Sequence, residues 1–133
     1  TPNLHFVEKF GIFIWIVSFI LENIADRQLG NFKRNKENRN KLMDKGLWKY
    51  SRHPNYFFEF MVWNAYFIIA LYSVNTIFEI LSLSILPFVV YYYLLEFTGV
   101  PMCERASLLK RGEIYEKYQK STNMFFPWFP KIK

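Results

Sequence analysis

The chain has 133 residues, enough for one domain at most. Its hydrophobic fraction of 52% and aromatic fraction of 21% are high for a water-soluble globule, yet 17 Lys and Arg against 11 Asp and Glu give a formal charge of +6. Nine of those cations fall between Arg27 and Arg52 and seven between Arg105 and Lys133, whereas residues 57–98 hold Glu59, Glu79 and Glu96 and no cation at all. A soluble domain spreads charge over every surface element, so this segregation implies an integral membrane protein. The positive charge then needs no nucleic acid to account for it, and none is expected as a partner. The single cysteine, Cys103, excludes an internal disulfide, and no metal-ligand spacing is present, so no metal site is expected. The expected fold class is all-α, one membrane domain over 1–133 with about three transmembrane helices, plus interfacial amphipathic helices in the basic loop and in the C-terminal tail.

The first predicted span is "FGIFIWIVSFIL" (10–21), extendable to about 6–25. A basic-side loop, 26–55, follows. It begins with helical spacing, placing Ile24, Leu29 and Phe32 on one face, then passes through the solvated "RNKENRN" (34–40) and returns to aromatic anchoring at "LMDKGLWKY" (42–50). At its end stands "SRHPNYFFEF" (51–60), with a cation, an imidazole, an amide and a carboxylate at the boundary between charged and apolar sequence. Pro54 suits the first turn of a helix, so the second span, about 56–74, starts there. Asn55 and Glu59 are then four residues apart on one face at the membrane mouth.

A carboxylate one turn inside hydrocarbon is expensive unless it pairs or lines a wet cavity. Glu59 is therefore either a functional group or the partner of Arg52 or Lys49. His53 reads as a structural hydrogen-bonder or a site residue. Arg52, with its planar fork, suits a phosphate or a lipid headgroup. Asn64, in mid-span, is expected to bond a neighbouring helix.

The link "SVNT" (73–76) is short enough to make an antiparallel helical hairpin with the third span, about 77–98, in which Pro87 should introduce a kink. Each span approaches the ~20 residues that cross ~30 Å of hydrocarbon. Glu79 should snorkel at the far interface, Glu96 could pair with Arg105, and Cys103 reads as inert. The basic-side tail, 99–133, carries an amphipathic helix at 112–122 with Ile114, Tyr115 and Tyr118 on one face. It ends in "MFFPWFPKIK" (124–133), where two prolines bar a helix and the aromatics suit a headgroup-level belt.

Three crossings put the 26–55 loop and the 99–133 tail on one side. The positive-inside rule makes that side cytoplasmic, or the matrix if the membrane is the mitochondrial inner membrane. The endoplasmic reticulum and the bacterial inner membrane fit equally. The chain shows no secretory signal and does not begin with Met, so it reads as a processed product or the C-terminal part of something longer.

Four blocks, in order, carry a likeness: "FILENIADRQLGNFKRN" (19–35), "DKGLWKYSRHPNYFFEF" (44–60), "TGVPMCERAS" (98–107) and "YEKYQKSTNMFFPWFP" (115–130). Together they resemble a membrane family classed with the steroid 5-alpha-reductase C-terminal domain. Its wider superfamily includes sterol reductases and isoprenylcysteine carboxyl methyltransferases. The resemblance implies that the hairpin and its basic-side loops hold a cofactor. Asn55 and Glu59 would match the Asn and acid of the reductase "PNYxGE" pattern, Arg52 and His53 its "RHP", and Tyr56 would join them in orienting NADPH. Two departures are present. Phe58 stands where that pattern has Gly, and the preceding helices that supply the catalytic acid and much of the substrate cavity in steroid reductases have no counterpart in this chain.

Three functional readings follow. The first is the cofactor-binding half of an NADPH-dependent reductase acting on a double bond of a lipid or steroid. The second is a non-catalytic accessory subunit of a larger membrane complex, mitochondrial for instance. The third is an S-adenosylmethionine-dependent membrane methyltransferase, to which Glu104 could contribute. The expected partners are the lipid bilayer and other membrane subunits, and no catalytic residue is assigned.

Overall fold

In a computed structural model, which describes residues 4–97 and 99–131, every regular element is helical. Helix α1 spans Phe6–Arg34, α2 Pro54–Leu71, α3 Ile77–Tyr92, α4 Gly99–Arg111 and α5 Glu113–Ser121. A π-helical turn, Tyr93–Phe97, follows α3, and two short 3₁₀ turns, Lys36–Asn38 and Gly46–Lys49, punctuate the loop between α1 and α2. The C-terminal end of the predicted third span, Thr98, and the last cation of the tail, Lys133, lie outside the described residues.

Helix α1 starts in a capping box. The His5 backbone N–H donates to the Glu8 carboxylate at 2.9 Å, while the His5 ring accepts from the Val7 N–H at 3.3 Å. The helix runs on to Arg34, well past the predicted end of its apolar span, because the helical spacing of the sequence continues into the polar segment. Its buried residues are Gly11, Ser18 and Ala25, seven apart and therefore on one face. They pack against α2, whose Ala65 is fully buried. Small residues on both sides bring the backbones close together. A Cβ added at Gly11 would lie 2.5 Å from Ile69 Cγ1. On its other side, α2 packs on α3 through Phe60 and Tyr91, ring centroids 5.5 Å apart.

The outward faces of α1 and α3 remain apolar and uncovered, with Phe13 61%, Phe78 76% and Phe88 71% exposed. Among the described residues one helical stretch, Ile77–Arg111, is long and apolar enough to cross a membrane. Glu8, Lys9, Glu22 and Asp26 interrupt α1, and Asn55, Glu59 and Asn64 interrupt α2.

The hairpin between α2 and α3 is closed locally. Thr76 Oγ1 accepts from the Glu79 N–H at 3.2 Å, and the Glu79 carboxylate accepts from the Asn75 N–H at 2.6 Å. Glu79, expected to snorkel, is thus engaged as a cap. Asn64 bonds its own helix, donating to the Phe60 carbonyl at 2.8 Å, and not a neighbouring one. Pro87 is buried inside α3.

The basic loop forms no amphipathic helix of its own. It folds back along α1, with Trp48 Nε1 donating to the Ala25 carbonyl at 3.0 Å and the Leu47 N–H donating to Gln28 Oε1 at 3.1 Å. Gly46 makes that return, at φ +63°, with the Gln28 side chain where a Cβ would otherwise stand.

The tail differs in extent from its sequence reading. Helix α4 begins at Gly99, with Pro101 tolerated in its first turn, and α5 buries Tyr115 and Tyr118 while Ile114 stays exposed. The non-helical C-terminal segment then lies along residues 50–53. The Arg52 N–H donates to the Asn123 carbonyl at 2.8 Å, the Trp128 N–H to the Tyr50 carbonyl at 3.0 Å, and Ser51 Oγ to the Phe125 carbonyl at 2.8 Å. Phe125 enters a core with Leu95 and Val100, flanked by Tyr56, Phe57, Phe60 and Tyr91. Phe126, Trp128 and Phe129 are exposed.

Replacing Gly11 by Leu should overpack the α1–α2 contact and destabilise the protein by about 1–3 kcal/mol. Gly30, whose Cβ would meet nothing within 4 Å, should accept Ala without loss of stability. Thermal unfolding of the two variants in detergent checks the contrast.

Candidate functional site

The residues just before α2 are held in place by a carboxylate from elsewhere in the chain. Glu104, on α4, accepts from four side chains. Arg52 Nη1 and Gln119 Nε2 (3.1 Å) donate to one oxygen, and His53 Nε2 (3.0 Å) and the Tyr115 hydroxyl to the other. Tyr115 and Gln119 are four apart on α5 and so reach it from one face. The side chains of Arg52, His53 and Glu104 are 10%, 5% and 13% exposed. Burial alone would raise the Glu104 pKa. The hydrogen bonds from His53, Tyr115 and Gln119 and the charge of Arg52 outweigh it and bring the value down to about 2. Burial and the adjacent Glu104 carboxylate push Tyr115 up, so its phenol remains a donor. Tyr118 is raised chiefly by burial and donates to the Trp48 and Ser51 carbonyls, joining α5 to the loop.

One side of this knot opens into a cavity of about 420 Å³, within the size range of small-molecule sites. Four of the five predicted cofactor residues line it: Arg52, His53, Asn55 and Tyr56. The His53 and Tyr56 rings are stacked, centroids 5.7 Å apart and planes 16° from parallel, and the Tyr56 hydroxyl lies 3.3 Å from Cys103 Sγ. Asn55 Nδ2 donates to Asp26 Oδ1 at 3.1 Å, while Asn55 Oδ1 is buried with no hydrogen-bond partner.

Glu59, the fifth, does not line the cavity. It is partly buried on α2 and faces the acidic side chains of α1, Asp26 and Glu22. It pairs with neither Arg52 nor Lys49, because the Arg52 guanidinium is spent on Glu104 and, through Nε at 3.2 Å, on the Thr122 carbonyl. Phe58 is absent from the lining and packs its ring on Phe57, so the departure from Gly leaves the cavity open. Among the described residues both ion pairs are on Glu104, none joins Glu96 to Arg105, and no cluster of ligating side chains could hold a metal.

Sequence reasoning missed Gln119 altogether, along with the cations Lys33, Lys110 and Arg111 of the cavity wall. It noted Glu104 and Tyr115 without connecting them. The available signal was the Tyr115–Gln119 pair, two polar ends on the face that also carries apolar bulk.

Glu104→Gln should lower stability by about 3 kcal/mol, the order expected when one member of a buried pair is removed, since an amide NH₂ in place of either oxygen would confront two of the four donors. In the wild type, the folded-state pKa lies below the ordinary 4.5. The Glu104 contribution is therefore complete above pH 4.5 and disappears as pH falls through about 2. Melting curves across that window should show a loss in the wild type that the Gln variant lacks.

A family model described as "Protein of unknown function (DUF1295)" matches residues 1–122. No match is found among curated proteins or among solved structures.

Proposed function

Since the chain belongs to the DUF1295 family, we propose that it is the membrane-embedded, cofactor-binding part of an NADPH-dependent reductase acting on a carbon–carbon double bond of a lipid or steroid. In this reading α1, α2 and α3 cross the bilayer with their uncovered apolar faces toward lipid, and the cavity opens on the basic side. The likeness of "RHPNY" to the sterol and steroid reductases supports the choice of cofactor. The observation that carries the proposal is the convergence of Arg52, His53, Asn55 and Tyr56 on one cavity of about 420 Å³.

The donor set fits such a ligand. An acceptor buried without a partner costs free energy until a donor reaches it, and Asn55 Oδ1 is such an acceptor. A carboxamide N–H would satisfy it once a rotation of the amide brings the shielded oxygen to the cavity surface. The stacked His53 and Tyr56 rings give a flat wall for a planar group, and the Glu104 knot keeps Arg52 and His53 from turning away. Trp48, Leu42 and Met43 line the cavity from the loop side with apolar surface. When bound, NADPH supplies a hydride. The acid that completes reduction and the walls of a lipid pocket would come from further helices.

The accessory-subunit reading draws on a different observation, the breadth of uncovered apolar surface on α1 and α3, which can pack on protein as well as on lipid. The two readings separate on ligand binding. In detergent, saturating NADPH should raise the melting temperature, since a ligand at a hundred times its Kd adds about 2.7 kcal/mol. Asn55→Ala should remove most of that gain while changing the unliganded melting point little, and S-adenosylmethionine should give none. A melting point indifferent to NADPH would reject the cofactor reading, and a rise with S-adenosylmethionine alone would move the assignment to methyl transfer.

A further inference from the structure

Arg52 is the natural phosphate clasp in the sequence, but in the fold its charge is already matched. Its guanidinium is paired with Glu104 and bonded to the Thr122 carbonyl, and its side chain is 10% exposed. The other cations of the cavity wall are Lys33, in the last turn of α1, and Lys110 and Arg111, in the last turn of α4. No Asp or Glu lines the cavity. Three cations therefore share one concave surface with no carboxylate among them, an arrangement whose mutual repulsion an anion would relieve.

We propose that Lys33, Lys110 and Arg111 form a phosphate-binding subsite at the mouth of this cavity, separate from the Arg52–Glu104 knot. The proposal rests on the cofactor reading only for the identity of the ligand. Its chemistry is that of a phosphate group, supplied by a nucleotide or by an anionic phospholipid headgroup.

Three details support it. Ser107 and Arg111 are four apart on α4 and both line the cavity, so a hydroxyl donor accompanies the cations on that face. Arg111 Nε donates to the Lys41 carbonyl at 2.9 Å, which fixes the guanidinium without spending its terminal nitrogens on that bond. Cations in the last turn of a helix also offset the helix dipole. That effect would serve Arg34 as well as Lys33, yet of the two Lys33 alone lines the cavity.

The test uses the whole chain in nanodiscs of phosphatidylcholine, with NADPH binding followed by equilibrium dialysis from about 50 to about 300 mM salt. Wild-type affinity should fall steeply with salt. Joint replacement Lys33→Gln, Lys110→Gln should weaken binding by about tenfold or more, the loss expected for charge-assisted bonds. It should also flatten the salt dependence and shift the unliganded melting point by no more than the loss of two helix-end charges does. In discs doped with phosphatidylglycerol, that lipid should compete with NADPH on the wild type and not on the double variant.

If NADPH binds both proteins equally and phosphatidylglycerol does not distinguish them, the subsite is overturned and the nucleotide reading survives. If NADPH binds neither, but phosphatidylglycerol is retained by the wild type and lost from the double variant, the subsite stands, its phosphate comes from lipid, and the nucleotide reading falls. If the double variant behaves as the wild type toward both ligands, the proposal is wrong.

Discussion

A carboxylate removed from water must find donors or lose its charge. Glu104 finds four, and the rest of the basic side depends on that arrangement. Its partners come from two places in the chain, the turn before α2 and helix α5, and meet it on α4. Without the carboxylate, Arg52 would be a half-buried cation without a counter-charge, His53 would lose its ring partner, and α5 would lose two of the bonds that hold it over the loop. The cavity is bounded by these same pieces, so its shape follows from one buried charge being fully satisfied.

A second constraint acts inside the helical layer. Gly11, Ser18 and Ala25 line the buried face of α1, and at Gly11 the Ile68 and Ile69 side chains and the Ile69 backbone of α2 come within 3.2 Å of where a Cβ would stand. That close approach fixes the position of Asp26 near the start of α2, where it accepts from Asn55. The amide is thereby oriented with its oxygen left unpartnered. Helix packing in the middle of the layer thus sets the orientation of a side chain at its edge, and the proposed ligand contact depends on both.

Much of this was legible in the sequence, for physical reasons. Charge segregation and apolar run length are local properties, so the three helices, the tight hairpin and the helix start at Pro54 could be read directly. The meeting of "RHPNY" residues at a cavity was expected from likeness. What could not be read were partnerships between distant residues. Arg52 and Glu104 are separated by 52 positions, and nothing local distinguishes Glu104 from Glu59 as the partner for that cation. Glu59 attracted attention because it sits deeper in apolar sequence, yet α2 turns it toward α1 and away from the cavity. The helical spacing at Ile24, Leu29 and Phe32 was legible, but its continuity with the first span through Arg34 was masked by polar residues, and the helix at Gly99 by a Gly-Val-Pro start. In the first case helical spacing continued beneath the charge, and in the second a proline fell where a helix tolerates it.

On the proposed function, the basic-side cavity holds a phosphate-bearing nucleotide in the native membrane. The most direct measurement is native mass spectrometry of the chain extracted from its own membrane in mild detergent, with dissociation of whatever is released. The expected result is an adduct whose released mass is that of NADPH or its oxidised form. A chain that emerges carrying no nucleotide, joined instead in fixed stoichiometry to the proteins of a larger complex, would contradict it.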